Sequence, residues 1–201
     1  AEGAQEELER SLKRMRTDHF DLYQLHAVTT MKEVDEIFDD RGAIGTVVRA
    51  REKGLVRYIG FSAHSEEAAL AMLDRFSFDS ILFPFNIVCS ANGHFGPRVM
   101  EHAKAKGAAR LALKAMAYSA WSSKGDHPWP KCWYRPIDDP VLARLALRFT
   151  LTEDVTAAIP PGEEALFRIA MEGAAKFTRL RADERKDLID RINDVQPLFK
   201  T

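Results

Sequence analysis

A histidine that closes a short apolar strand is the first point at which this sequence offers chemistry. Phe20-Asp21-Leu22-Tyr23-Gln24-Leu25 reads as a strand ending at His26. In parallel α/β sheets, ligands bind at the C-terminal ends of strands. His26 therefore reads either as an active-site group or as a hydrogen-bonded histidine that merely ends a strand. Ser62 follows a second strand, Val56 to Phe61, and reads either as a binding hydroxyl or as the residue leading into the next helix. Lys114 lies within Leu111-Ala112-Leu113-Lys114-Ala115-Met116. A lysine in an apolar strand is rarely buried unpaired. It either faces an anionic cofactor or an acid, or it is exposed or paired with a structural carboxylate. Trp121, Trp129, Trp133 and Tyr134 cluster in one loop, as walls of a substrate pocket or as a cap over core. His94, His102, His127 and Cys132 lack metal-ligand spacing on one element, so no metal is expected. A lone buried cysteine such as Cys89 is more often packing than chemistry.

The elements that must position these residues alternate. Glu2 to Arg16 carries Leu8, Leu12 and Met15 at i, i+4 and i+7, the spacing of an amphipathic helix. After the strand that ends at His26, Met31 to Lys53 is helical, interrupted near Asp39–Gly42 and stopped by Gly54. Val56 to Phe61 is a strand. A helix then starts at Ser65, a plausible N-cap with acidic residues behind it, and runs to about Phe76. Ser80 to Phe85 is a strand, Pro97 to Lys106 a helix ended by Gly107, and Arg110 to Met116 a strand. A loop dense in Trp, Pro, Ser and Gly occupies 119–136. Pro140 to Leu151 is a helix, Val155 to Ile159 a strand, and Glu163 to Ala175 and Ala182 to Ile192 are helices. Strands separated by helices argue for parallel βαβ units. Their continuous apolar character argues for burial on both faces. The pattern predicts a single α/β domain over 1–201, with 119–136 as a functional insert.

Composition narrows the function classes. The chain has 201 residues, 46% hydrophobic and 29% charged, values ordinary for a soluble domain. Lys plus Arg number 29 and Asp plus Glu 30, and this balance gives no reason to expect a nucleic acid or an anionic membrane as partner. No apolar run approaches the ~18 residues of a membrane span. Two cysteines make no disulfide framework, and a reducing, cytoplasmic setting is expected.

Four stretches resemble the aldo-keto reductase family. Leu12-Lys13-Arg14-Met15-Arg16-Thr17-Asp18 leading into Asp21-Leu22-Tyr23-Gln24-Leu25-His26 is similar to the family's helix and strand that end in a histidine over the nicotinamide. Gly54-Leu55-Val56-Arg57-Tyr58-Ile59-Gly60-Phe61-Ser62 resembles its next strand. Phe78-Asp79-Ser80 running to Phe85-Asn86, and Thr156 to Gly162, stand where the family has its two further motifs. The resemblance implies a TIM-type barrel, which usually takes ~250 residues. The five strands here match the family's fourth to eighth strands, so the expected fold is an incomplete (β/α) barrel. The first three βα units, which carry the family's catalytic Asp, Tyr and Lys, have no counterpart.

The same resemblance assigns roles. His26 orients and polarises a carbonyl, while the cofactor, NADP(H) or NAD(H), supplies the hydride. Ser62 binds the nicotinamide carboxamide. Ala63-His64 stands where the family has Asn, and His64 becomes the alternative donor. Leu82 replaces the carboxamide-binding Gln, so that contact is lost. Tyr118 and Ser119 match the loop packed against the cofactor. Pro161-Gly162-Glu163-Glu164 replaces a phosphate-gripping Lys-Ser, and its carboxylates repel phosphate. Arg168, one residue displaced from the family's Arg, retains the fork that pairs with phosphate. Glu172 matches an acid that contacts adenine.

An incomplete barrel opens two apolar edges, at Phe20–Leu25 and Val155–Ile159, which need cover. A lost N-terminal fragment, self-association or collapse to an open sheet would each provide it. The expectation is a homo-oligomer, with a dimer closing both edges. The leading functional expectation is an NAD(P)H-linked carbonyl reductase by descent, with little or no reductase activity in this truncated form. The alternative is a non-catalytic nucleotide- or partner-binding scaffold that assembles as an oligomer.

Overall fold

Parallel strands buried on both faces need continuous apolar runs, and Val56-Arg57-Tyr58-Ile59-Gly60-Phe61-Ser62-Ala63 nearly supplies one. From Ile59 to Ala63 every residue is buried. In the computed structural model, which describes residues 2–122, 125 and 127–201, this strand is β2 (Val56–Ala63). It pairs in parallel with β1 (Phe20–Val28) and β3 (Ser80–Pro84). A second parallel pair joins β4 (Ala109–Leu113) to β7 (Ala157–Ala158). These strands form one five-stranded sheet in the order β1-β2-β3-β4-β7, so the barrel is not closed. β1, at one end of that order, leaves Leu22 partly exposed, as expected of a strand paired on one side only.

The chain divides into two compact units. One runs through Leu82 and takes in His102–Ala109; the other holds Phe83–Glu101 and Arg110–Thr201. In the first, α1 (Glu2–Met15) buries Leu8, α2 (Met31–Phe38) buries Val34, and α3 (Ala43–Glu52) buries Val47 and Ala50. Thr30 and Glu33 form a reciprocal capping box that starts α2. Ser65 caps α4 (Glu66–Arg75) as expected, its hydroxyl accepting the Ala68 N–H at 3.3 Å. Phe61, Phe76 and Phe78 pack ring against ring, the Phe61–Phe78 centroids 4.6 Å apart. Gly60 is required by close approach: a Cβ there would meet Ser80 Oγ and come within 2.9 Å of the Ser80 carbonyl oxygen.

In the second unit, Phe83 stacks on Phe95 at 5.0 Å and Phe95 on Phe199 at 5.3 Å, which fastens the C-terminal tail. α7 (Pro140–Thr152) is capped by Asp139 and packs against α8 (Glu164–Ala175). Arg148 of α7 meets Glu184 of α9 (Ala182–Ile192) through two bonds of 2.9 Å.

Four readings of the sequence need correction. α5 (Ile87–Gly93) was not foreseen; Asn86 caps it by accepting the Cys89 N–H at 2.9 Å. Asn86 and Cys89 are both buried, which fits the packing reading of the cysteine. The strand expected over Arg110–Met116 stops at Leu113, because Lys114 takes φ 61° and leaves the ladder. The 119–136 loop is closed at its base by an antiparallel ribbon, β5 (Ala117–Ser119) with β6 (Arg135–Pro136). β7 is shorter than the expected Val155–Ile159, although Thr156 and Ile159 still donate to Arg110 and Ala112 carbonyls at 2.8 Å. α6 (Pro97–Ala105) matches the expected helix to within one residue.

Candidate active site

His26 owes its position to an irregularity. The β1–β2 register shifts between Leu25 and Val28, and Ala27 takes φ 54° within it. Such bulges re-aim a side chain. His26 is exposed, and its Nδ1 lies 3.5 Å from Ser62 Oγ. Ser62 is buried at 3% exposure, and its Oγ accepts the Ala27 N–H at 2.8 Å. The serine expected to hold a carboxamide therefore ties down the backbone beside His26. His64 is half-buried and donates its backbone N–H to the Val28 carbonyl at 3.1 Å. The structure thus brings His26, Ser62 and His64 to one strand-end region of the first unit. Gln24 adds a contact the sequence did not signal: its amide reaches across Gly60 to Ser80 Oγ at 3.3 Å.

In the second unit, Tyr118 and Ser119 line a cavity of about 760 Å³, together with Trp121, Arg135 and the stretch after α9. The Arg135 guanidinium lies over the Tyr118 ring at 5.0 Å. That contact braces the ring by cation–π attraction. Trp121 donates its indole N–H to the Cys132 carbonyl at 2.8 Å and stacks on His127. Of the two readings of the tryptophan cluster, Trp121 fits a pocket wall. Trp129 instead bonds Asp138 at 3.0 Å. Arg135 and Arg191 bring positive charge to the cavity, and Asp138, Asp190 and Asp194 bring negative charge.

Arg168 and Glu172 are not among the residues lining that cavity. Arg168 is exposed and pairs with Glu164 at 2.7 Å, and Glu172 pairs with Arg144 at 3.2 Å. Glu163 precedes α8 without a side-chain cap bond, and its carboxylate accepts the Lys131 N–H at 2.5 Å. Lys114 is not the exposed lysine that one reading allowed: it is buried, and burial lowers its pKa to about 8. Tyr134 is buried, and its hydroxyl pKa is pushed up by that burial and then by Cys132. Among the described residues no group of three His, Cys, Asp or Glu side chains is placed to hold a metal. No described helix is long and apolar enough to cross a membrane.

Known proteins share this fold. The structure resembles aldo-keto reductase AKR11C1 from Bacillus halodurans in its apo form with a TM-score of 0.65 and 22% identity, covering 98% of this chain and 69% of that one. The holo form of the same protein gives 0.63 at 22% identity, covering 97% and 65%. At that identity the likeness shows the fold. In sequence, the chain is 28% identical over 97 residues to the uncharacterized oxidoreductase YqkF of Bacillus subtilis (strain 168). That match spans 48% of this chain and 30% of the relative. The sequence model of the Aldo/keto reductase family matches residues 1–134. A family match over two-thirds of the sequence, joined to an open parallel sheet of the same fold, shows that the chain belongs to the aldo/keto reductase family.

Proposed function

We propose that this chain binds a nicotinamide dinucleotide and presents His26 to a small carbonyl substrate. The observation that carries the reading is the 3.5 Å approach of His26 Nδ1 and Ser62 Oγ at the ends of paired strands. Ser62 Oγ accepts from Ala27 and keeps its own hydrogen to give to Nδ1. In the tautomer this reading takes, the proton sits on Nε2, where it polarises a carbonyl oxygen by a hydrogen bond. The cofactor, when bound, supplies a hydride to such a carbonyl.

The residues of the second unit fit the cofactor in part. A cavity of about 760 Å³ is within the size range of cofactor sites, and the braced Tyr118 ring suits a flat heterocycle. Ser119 adds a hydroxyl at the same wall. Phosphates are less well served, since three aspartates face two arginines there. On α8, Glu164 engages Arg168, and Arg144 engages Glu172. Carboxylates at that helix start disfavour an added 2′-phosphate, so we place NAD(H) ahead of NADP(H). The two free, buried cysteines suit a reducing, cytoplasmic setting.

Of the four catalytic side chains that the resemblance implies, His26 alone has a counterpart in these 201 residues. A missing general acid costs ~10²–10⁴-fold in rate. The 201-residue chain is therefore expected to bind cofactor with little turnover. The test is carbonyl-dependent loss of NADH or NADPH absorbance, with His26→Ala as control. Rapid turnover abolished by that substitution would show that the proton donor is present after all.

A second reading is a self-associating scaffold that binds a nucleotide or partner without catalysis. Phe167 and Met171, one turn apart on α8 and 45% and 55% exposed, favour it. Light scattering at micromolar concentration decides: a monomer removes the self-association.

A further inference from the structure

Residues 193–201 follow α9 and form no helix or strand of their own, yet they are held along α5 and its cap. The Asn92 amide donates to the carbonyls of Ile192 at 2.7 Å and Val195 at 2.9 Å, with that of Asn193 at 3.5 Å. Gly93 lies so close to the tail that a Cβ there would come within 2.4 Å of the Phe199 carbonyl oxygen. The Thr201 N–H donates to the Gly93 carbonyl and its hydroxyl to the His94 carbonyl, each at 3.0 Å. Between these points the backbone of Leu198 and Phe199 meets the buried Cys89 thiol. All of these residues belong to one unit.

The same tail is a wall of the cavity. Residues 193–197 line it together with Tyr118 and Trp121. The last carbonyls of a helix have no partner within the helix, and water serves such groups as well as a side chain does. What Asn92 adds is position: one amide fixes Ile192 and Val195 together, and so sets where the wall begins.

We propose that Asn92 is a positioning residue that seats residues 193–201 as a strap, and that this seating and ligand binding in the cavity are one coupled equilibrium. A ligand that touches the wall binds the seated form more tightly than the released one, so by linkage it holds the strap down. The proposal rests on the reading that the cavity takes a nicotinamide dinucleotide, and NADH is the probe.

The test is hydrogen exchange of the full chain, read by mass spectrometry on peptides from the tail and from α7, with and without NADH. NADH at about ten times its dissociation constant is expected to slow tail exchange about tenfold. Asn92→Asp keeps the shape and loses both N–H donors. Without ligand, its tail is expected to exchange at least ~10-fold faster while α7 stays within about twofold. Gly93→Ala should act in the same direction through its clash with the tail. Equal acceleration of α7 would make Asn92 a general stabiliser and overturn the proposal. NADH that saturates the tryptophan fluorescence yet leaves tail exchange unchanged overturns the coupling and spares the cofactor reading. No fluorescence change up to millimolar NADH removes that reading and the coupling with it. The NADH comparison uses the unsubstituted chain, so it stands even if neither variant folds.

Discussion

Ser62 Oγ accepts the backbone N–H of Ala27 at 2.8 Å, and so a buried hydroxyl on β2 holds the left-handed turn that aims His26. Ser62→Ala removes that acceptor and leaves a half-buried N–H unsatisfied. The expected loss is about 1–2 kcal/mol of folding stability, read from urea unfolding. An unchanged midpoint would show that the Ala27 N–H finds another acceptor.

Gly60 permits β1 and β3 to communicate across β2. Gln24 reaches Ser80 over it, and a methyl group there meets Ser80. Gly60→Ala should cost roughly 1–3 kcal/mol, as overpacking against a strand backbone does. The companion change Ser80→Ala should recover part of that loss, because one of the two clashing atoms is then gone. No recovery would locate the clash at the Ser80 carbonyl instead.

Lys114 titrates at about 8 in the folded chain and at roughly 10.4 when unfolded. Between those values the unfolded state holds the extra proton, so stability contributed here rises with pH across that window. At about pH 7 the burial penalty is fully present. Lys114→Met should therefore stabilise the fold by ~1–3 kcal/mol at neutral pH. The gain should shrink toward about pH 10. A gain that is constant with pH would mean that the ammonium is not the source of the penalty.

Glu184 shows the opposite sign. Its bonds to Arg148, and then to the Arg181 N–H, hold its carboxyl down at about 2. The folded pKa lies below the unfolded one, so the stabilisation is full above roughly pH 4.3 and fades as the pH falls toward 2. Glu184→Gln should lower the melting temperature at neutral pH and have a much smaller effect near about pH 2. Scans at both pH values measure the difference; an equal gap in both would contradict the pairing.

The strand–helix alternation was legible because apolar runs, Ser65, Gly54 and Gly107 mark boundaries by local chemistry. α5 escaped because its seven residues, including Ser90, Asn92 and Gly93, carry no clear helical stripe. Its cap residue Asn86 was read instead through the resemblance. β4 was overextended because Ala115 and Met116 are apolar, and nothing in sequence shows that Lys114 takes a positive φ. His26 and Ser62 could be named from motif, but their shared role with the Ala27 turn is set by a register shift across two strands. Arg168 and Glu172 could be named too, yet Glu164 engages Arg168 on its own helix, and the pairing of Glu172 with Arg144 is set by how α7 and α8 pack.

The most direct test of the account is a titration of NADH, and separately NADPH, against the intrinsic tryptophan fluorescence of the chain, with Arg135→Ala as the comparison. Trp121 and Arg135 both line the Tyr118 cavity, so occupancy should be read there. The account predicts saturable binding, with NADH at least as tight as NADPH, and several-fold weaker binding in the variant. No change in fluorescence up to millimolar concentrations of either cofactor would contradict it.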